Sequence, residues 1–195
     1  MAKGKNKSGK SKKPFLTDVK MLRDRARKHI DTGAVASSYI GDVNKTIEIL
    51  QSVLATEIVC TLRYQMHAIA AQGISSEGVK DEFATHAKEE WGHATEVAER
   101  INQLGGSPNF SPAGILTRSA SEYGKQELNL VDMIKENLIA ERIAVDHYRE
   151  LIRYFGNDDP TTAHMIKGIL AVEEEHANDM HDLLVAHEGQ PMLKK

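Results

Sequence analysis

The sequence predicts an all-α protein: a four-helix bundle whose two helical hairpins are joined by one long crossover, preceded by a short helix. In four long stretches, apolar residues recur at steps of three and four, the period of one helix face. Gly, Ser and Pro separate the stretches, and the first and third connections are short. The middle connection, about 105 to 124, is long: about 20 extended residues span up to roughly 66 Å, whereas a helix of about 28 residues measures roughly 42 Å. The middle link can therefore return along the whole bundle.

The chain divides into four predicted segments. Residues 1–14 are rich in Lys, Gly and Ser, and we expect a disordered arm because this composition buries too little apolar surface to order itself. Residues 15–41 hold a short basic helix, ending near residue 30, and a connection framed by Gly33 and Gly41. The bundle spans 42–188, with helices predicted at about 42–71, 77–104, 126–155 and 159–188. Residues 189–195 form a C-terminal tail.

Each predicted bundle helix carries a glutamate near its midpoint, on the apolar stripe rather than on the solvated face. The four are Glu57, Glu90, Glu141 and Glu173. Histidines follow the second and fourth by three positions, at His93 and His176. An unpaired ion in such a core costs several kcal/mol, and no Lys or Arg lies on these stripes. Four carboxylates and two neutral imidazoles balance two divalent cations, so the pattern predicts two carboxylate-bridged metal ions.

The same pattern occurs once in each half of the chain. Glu57 and Glu90 are 33 residues apart, and Glu141 and Glu173 are 32 residues apart, so each half is predicted to be one hairpin. Because each glutamate lies near the middle of its helix, all four meet at one level. Each metal then has one Glu and one His of its own, and the remaining glutamates can bridge. Such ligands suit iron or manganese, and the lack of thiolates argues against structural zinc.

At these residues the chain resembles a bacterioferritin-type member of the ferritin-like superfamily, over about 42 to 188. The resemblance includes the stretch Glu89-Glu90-Trp91-Gly92-His93-Ala94, the Gly-Ser-Pro after the second helix, and Glu173-Glu174-Glu175-His176. It implies that the six residues above ligate two iron ions per subunit in a ferroxidase centre, with manganese as an alternative. Tyr64 matches a tyrosine near that centre which can supply an electron, and His67 matches a histidine close by.

Two features depart from bacterioferritins. Trp91 stands where those proteins have a haem-ligating methionine, so haem bound in that manner is not expected. Only a few residues follow the fourth predicted helix, where the 24-subunit cages have a short fifth helix. The added first helix and the lysine arm resemble Dps, the 12-subunit mini-ferritins, so the expected assembly is a homo-oligomeric cage, a dodecamer rather than 24 subunits. Dps-like proteins with bacterioferritin-type sites combine the same features, but their Cys pair is not present here.

The resemblance implies a ferroxidase that oxidises Fe(II) with O₂ or H₂O₂ for iron storage and protection against oxidative stress. One alternative is a di-iron or di-manganese redox enzyme of the same fold, such as a rubrerythrin-like peroxidase, a hydroxylase or a manganese catalase. The sequence has no rubredoxin-like Cys-x-x-Cys pair, which weakens the peroxidase alternative. Another alternative is a DNA-compacting, Dps-like protective protein whose metal site mainly holds the fold.

Charge is unevenly placed along the chain. Six lysines precede the first acidic residue, Asp18, although the whole chain has a formal net charge of −3. Such an arm could bind DNA phosphates without sequence preference, and a dodecamer would multiply the effect. Acidic residues outside the predicted centre, such as Glu82, Glu89 and Asp179, are expected on solvated helix faces, as is His86.

Cysteine content and hydropathy bear on the location of the protein. The single cysteine, Cys60, excludes an intrachain disulfide and fits a reducing compartment. No apolar run approaches the roughly 18 to 20 residues that a membrane span requires. We therefore expect a cytoplasmic protein with no membrane partner.

Overall fold

A computed structural model describes residues 16–73, 76–125 and 128–188. All regular secondary structure in these ranges is helical, as predicted. The helices are α1 (Val19–Lys28), α2 (Val43–Ala70), α3 (Ser76–Gln103), α4 (Ile115–Arg118), α5 (Leu130–Phe155) and α6 (Pro160–Glu188). None of the helices in these ranges is both long and apolar enough to cross a membrane. The predicted arm, 1–14, and the predicted tail, 189–195, lie outside the described residues.

The first helix belongs to a separate compact unit that ends at Ser38. It begins at Val19, later than the predicted start at 15, because the carboxylate of Asp18 accepts a hydrogen bond from the backbone N–H of Lys20 at 2.9 Å. No residue of α1 is buried. Its apolar residues, including Val19 and Leu22, are therefore exposed within this unit.

The second unit contains two helical hairpins, α2–α3 and α5–α6, as the spacing predicted. Asp42 caps α2 by accepting from the N–H of Lys45 at 3.1 Å. Asp159 caps α6 in the same way through the N–H of Thr162 at 3.0 Å. The fifth helix begins four residues later than predicted, after Asn129, whose side chain accepts from the N–H of Asp132. Strong capping residues thus set the helix starts.

The bundle helices pack in antiparallel pairs around one apolar core. The end of α3 lies beside the start of α2, where Gly106 approaches Ile47 and Ile101 so closely that a Cβ there would lie 2.9–3.0 Å from their methyl groups. Tyr64 of α2 contacts the earlier part of α5 at Glu141, and Tyr148 of α5 contacts the earlier part of α2 at Glu57. These two helices therefore run antiparallel. Fully buried core side chains come from all four helices: Leu50, Leu54, Phe83, Ile101, Ile134, Phe155, Ile166 and Ile169.

The long connection between α3 and α5 runs along α2. Gln51 holds its first part through the Ser107 carbonyl and the Asn109 N–H, at 2.8 and 2.9 Å. Further along α2, the Thr56 hydroxyl accepts from the N–H of Ala120 at 2.9 Å, and Arg63 donates to the Glu122 carbonyl. The connection therefore travels the length of the bundle, as the single long crossover required.

A buried polar cluster joins the start of α6 to the end of α3; we call it the Asp159 cluster. Asp159 is 3% exposed, and Arg100 contacts one of its carboxylate oxygens at 2.9 Å. Thr162 donates its hydroxyl to the other oxygen at 2.6 Å, and Tyr39 donates to the same oxygen at 3.0 Å. Arg100 also donates to the Thr162 hydroxyl at 2.8 Å. Both oxygens of the aspartate thus have partners.

Candidate metal centre

The four bundle helices bring the six predicted ligand residues together in the core. We call this group the six-residue centre. Its members are Glu57 of α2, Glu90 and His93 of α3, Glu141 of α5, and Glu173 and His176 of α6. None of the six is more than 8% exposed. Each hairpin supplies two glutamates and one histidine, which is the repeat read in the sequence.

The centre divides into two overlapping groups of ligand atoms. In one, atoms of Glu57, Glu90, His93 and Glu173 all lie within 4.8 Å of one another. In the other, the same holds for Glu90, Glu141, Glu173 and His176. Glu90 and Glu173 belong to both groups, so the geometry offers two cation positions that share two carboxylates.

The shared carboxylates lie between the two histidines. His93 Nδ1 is 3.0 Å from Glu173 Oε1 and 3.7 Å from Glu90 Oε2. His176 Nδ1 is 3.5 Å from Glu90 Oε1 and 3.9 Å from Glu173 Oε2. Each shared glutamate therefore directs one oxygen toward each histidine, which is the arrangement of a bridging carboxylate.

Buried nitrogen and oxygen atoms that could ligate a metal, but that make no hydrogen bond, concentrate in this centre. They are Glu57 Oε2, both Glu90 carboxylate oxygens, His93 Nδ1, Glu141 Oε2, Glu173 Oε1 and His176 Nδ1. Leaving such atoms unsatisfied is costly, and native proteins seldom do so without a ligand or water. Carboxylate oxygens with one imidazole nitrogen per position also fit iron or manganese. The donor set and its unmet bonds both fit two divalent cations.

Without a cation, the centre balances its charge with protons. Burial and the neighbouring charge of Glu90 raise the pKa of Glu57 to about 8, and the same two causes raise the pKa of Glu141. Although burial opposes it, contacts with Glu90 and Glu141 raise the pKa of His176 to about 9. Protons and cations would therefore compete for these side chains, because metal ligation requires deprotonated ligands.

Comparison with known proteins agrees with this architecture. The model of the ferritin-like domain family matches residues 47–188, which is most of the chain and contains the whole centre. The chain belongs to the ferritin-like family. The proteins that it resembles include Dps proteins and a bacterioferritin-related protein.

Three relatives illustrate the family resemblance. The ferritin-like chain is 32% identical to a dodecameric thioferritin, the bacterioferritin-related protein of Bacteroides fragilis, over 78% of this chain and 93% of that one, with a TM-score of 0.72. It is 29% identical to the DNA protection during starvation protein of Pyrococcus furiosus, over 77% of this chain and 80% of the relative. The fold of Dps from Thermosynechococcus elongatus is also similar, with a TM-score of 0.70 at 19% identity, over 72% of this chain and 90% of that one.

Two buried tyrosines contact the centre of this ferritin-like chain from opposite helices. Tyr64 of α2 donates its hydroxyl to Glu141 Oε1 on α5. Tyr148 of α5 donates to Glu57 Oε1 on α2. Sequence reasoning singled out Tyr64 and missed Tyr148, although each tyrosine lies seven residues after the glutamate of its own helix. The internal repeat contained the signal for both.

The second ring nitrogen of His176 points away from the carboxylates of the centre. His176 Nε2 lies 2.9 Å from Glu89 Oε2, a contact that orients the ring so that Nδ1 faces the centre. The His86 ring stacks on His176, with centroids 3.8 Å apart and the planes inclined by 21°. His86 was expected on a solvated face but is only 2% exposed, because α3 packs against α6 there. Burial lowers the pKa of His86 to about 3.

A buried arginine beside the centre was not foreseen. Arg63 is 2% exposed and donates to Asn137 Oδ1 at 3.0 Å, and Asn137 in turn contacts His67 Nδ1 at 3.1 Å. Position 63 lies next to the stripe residue Tyr64, so helical periodicity gave no signal for its burial. His67 is buried but belongs to neither ligand group of the centre. Trp91 is half-exposed, with its ring beside Phe110.

Proposed function

We propose that this ferritin-like protein is a ferroxidase, oxidising Fe(II) with O₂ or H₂O₂ at the six-residue centre within one subunit. The observation that carries the proposal is the set of unpartnered nitrogen and oxygen atoms on all six buried side chains. Iron storage and protection against oxidative stress are the functions supported by membership of the ferritin-like family and by similarity to a Dps protein. Manganese remains the alternative cation, since the same ligands suit it.

The residues divide into terminal and shared ligands in this proposal. Glu57 and His93 hold one Fe(II), and Glu141 and His176 hold the other. Glu90 and Glu173 would bridge the two ions, because each directs an oxygen toward each histidine. Tyr64 and Tyr148 each fix one oxygen of a terminal carboxylate, leaving the other oxygen free to face the cation.

Two ions held side by side can give up two electrons together. Two Fe(II) and two protons convert O₂ to H₂O₂ and leave two Fe(III); with H₂O₂ as oxidant, two Fe(II) and two protons yield two water molecules. In both cases the electron pair passes in one encounter, so no one-electron oxygen radical is released. The buried carboxylates would hold the ions, and the packed core around them excludes bulk water. Glu89 keeps His176 in its ligating orientation.

A cage would allow the oxidised iron to be retained. The Bacteroides fragilis relative is described as dodecameric, and this chain aligns with 93% of it. We propose a homo-oligomeric cage of the same kind here, most consistent with 12 subunits. An acidic interior would attract cations and promote mineral nucleation.

Iron loading tests the storage function. Fe(II) is added aerobically to the assembled protein, excess iron is removed, and the iron per chain is measured across a size separation. Many irons per chain co-eluting with a large oligomer are expected. About two irons per chain on a small oligomer would instead indicate a non-storage di-metal enzyme.

Ligand variants test the assigned site. Glu57→Ala and Glu141→Ala should each slow the fast phase of Fe(II) oxidation by at least about 100-fold, since even outer-shell changes at metal sites cost roughly 10–100-fold. Assembly should persist. Glu174→Ala is the matched control, because Glu174 adjoins Glu173 but is half-exposed and pairs with Arg149 on the surface. A fast phase that survives in both ligand variants rejects the assignment.

DNA protection is a second candidate, favoured by the six lysines before Asp18 and by similarity to the DNA protection during starvation protein of Pyrococcus furiosus. Lysines contact phosphates without reading sequence, so binding should weaken steeply with salt. Replacing Lys3, Lys5, Lys7, Lys10, Lys12 and Lys13 with glutamine should abolish the mobility shift of plasmid DNA while leaving Fe(II) oxidation unchanged. An unchanged DNA shift would reject the role of the arm.

A further inference from the structure

A pocket between α3 and α6 lies beside His176 and contains a second set of metal-ligating side chains. Its volume is 230 Å³. Four carboxylates line it, from Glu82, Glu89, Glu175 and Asp179, and no Lys or Arg is among its lining residues. The pocket is therefore a region of negative charge next to one histidine of the six-residue centre.

Three side chains of this pocket converge on one position. His86 Nε2 lies 3.3 Å from Glu82 Oε1 and 3.6 Å from Asp179 Oδ2. Their ligand atoms all lie within 4.8 Å of one another. A cation about 2.1 Å from each donor separates the donors by roughly 3–4 Å, so these side chains reach ligating distance with small adjustments. The carboxylates are 39% and 36% exposed, and this leaves room for a partly hydrated ion.

The histidine of this group is buried and directs one ring nitrogen into the pocket. His86 is 2% exposed, and its Nδ1 is buried without a hydrogen-bond partner. Its Nε2 faces the two carboxylates of Glu82 and Asp179 across the pocket. Nε2 is the nitrogen that faces the pocket, so this buried imidazole presents a ligand atom between two partly exposed carboxylates.

The same histidine connects the pocket to the six-residue centre. The His86 ring stacks on the His176 ring at a centroid distance of 3.8 Å. His86, Glu89 and His176 also form an overlapping group whose ligand atoms lie within 4.8 Å of one another. Metal-ligating side chains thus form a continuous series from the partly exposed carboxylates, through His86, to His176.

The geometry points to a third divalent-cation site, formed by Glu82, His86 and Asp179, that holds Fe(II) next to His176 before transfer to the six-residue centre. We call it the pocket site. Its binding of a divalent cation stands on its own geometry, whereas its role as a source of Fe(II) rests on the proposed ferroxidase function. Oxygen and imidazole donors in a partly hydrated position suit Fe(II) and, as a redox-inert probe, Co(II).

Counting bound Co(II) tests the pocket site directly. The assembled protein is equilibrated with Co(II), freed of excess, and analysed for cobalt per chain. The double variant Glu82→Gln/Asp179→Asn should bind one Co(II) per chain fewer than the wild type, and Glu141→Ala should still bind the pocket ion. An unchanged cobalt content in the double variant overturns the proposal.

A matched control separates ligation from general charge. Asp81→Asn/Asp182→Asn removes the same two charges from the same two helices, at exposed positions outside the pocket. This control should retain the wild-type cobalt content. If it loses cobalt to the same extent as Glu82→Gln/Asp179→Asn, the effect is one of overall charge and the pocket site is rejected.

Oxidation kinetics test the role in transfer. At limiting Fe(II), Glu82→Gln/Asp179→Asn should oxidise iron roughly tenfold more slowly than the control pair, because charged clefts raise local cation concentration by about tenfold or more. The deficit should shrink as Fe(II) is raised. Equal rates for the two double variants at limiting Fe(II) overturn transfer through this pocket. A wild type that binds Co(II) but does not oxidise Fe(II) would instead reject the ferroxidase function, leaving the cobalt count to decide the pocket site.

Discussion

Two buried polar clusters of this bundle show how differently charge can be accommodated in one core. The Asp159 cluster and the six-residue centre are equally hidden from solvent. In the first, both oxygens of Asp159 have partners, supplied by Arg100, Thr162 and Tyr39. In the second, each of the six side chains keeps at least one buried nitrogen or oxygen that makes no hydrogen bond. Burial alone does not distinguish the two clusters; the centre differs because carboxylates and imidazoles without hydrogen bonds converge there on two positions.

The difference has a simple electrostatic origin. A guanidinium lies against Asp159, so that carboxylate is already compensated. The carboxylates of the centre pair only with His93 and His176 among the described ion pairs. Four carboxylates with two neutral imidazoles carry a net negative charge, which protons or cations must balance. One cluster should therefore contribute to folding stability and the other to metal chemistry.

The largest expected effect is on folding. Asp159→Ala should lower the free energy of unfolding by about 3–5 kcal/mol, because Arg100 would stay buried without its counterion. Urea unfolding at a fixed protein concentration measures the loss. The neighbouring exposed residue supplies the control, Asp158→Ala, which should be nearly neutral. A loss below about 1 kcal/mol for Asp159→Ala would mean that the two clusters do not differ in this way.

Metal binding at the six-residue centre should stabilise the fold, in addition to any gain from Co(II) at the pocket site. Co(II) at 100 times its dissociation constant raises the free energy of unfolding by about 2.7 kcal/mol for each site that exists only in the folded state. Thermal unfolding with and without Co(II) should show most of this gain in the wild type and in Asp159→Asn. Glu173→Ala removes a shared ligand and should lose most of the stabilisation by Co(II). An equal gain in Glu173→Ala would place the bound metal elsewhere.

The two tyrosines test whether the halves of the centre are equivalent. Tyr64→Phe and Tyr148→Phe each remove the hydroxyl that fixes a terminal carboxylate, and each should slow Fe(II) oxidation by about 10–100-fold. Stopped-flow oxidation measures both, with the exposed Tyr154→Phe as the control. Similar losses indicate two positioning residues. A loss confined to Tyr64→Phe would instead assign that tyrosine a separate role, such as electron donation.

The smallest expected effect is a dependence of stability on pH. Burial would raise the pKa of Asp159, but hydrogen bonds from Thr162 and Tyr39 and the charge of Arg100 hold it below its usual range. A depressed pKa in the folded state means that the carboxylate stabilises the fold above the ordinary Asp value, near 3.9, and that this contribution is lost as pH falls toward the folded-state pKa. Unfolding free energies between pH 6 and 3 should fall more steeply in the wild type than in Asp159→Asn. Parallel curves would contradict this assignment.

Helix positions could be predicted closely because the apolar period and the breaking residues act locally. The second and sixth helices begin within a residue of the predicted starts, where Asp42 and Asp159 cap them. The first and fifth helices begin later than predicted. Their capping residues, Asp18 and Asn129, follow the positions at which the sequence changes from loop-forming to helix-forming composition. Periodicity locates a helix, whereas the capping side chain selects its first turn.

The six-residue centre could be predicted because carboxylates on apolar stripes are rare and their spacing repeats. Its surroundings were harder to predict. His86 and Arg63 are buried by packing between helices that are distant in sequence, and no pattern within one helix reports such packing. Tyr148 differs, since the repeat that located the glutamates also placed it seven residues after Glu141.

Packing in this bundle is extensive within each hairpin, and fewer contacts join α3 to α6 or α2 to α5. The shared carboxylates Glu90 and Glu173 come from different hairpins, so an ion held between them would cross-link the two halves at mid-height. Loading and release of iron would then alter the mechanical coupling of the halves. The seam between the hairpins is where an empty and a loaded subunit should differ most in rigidity.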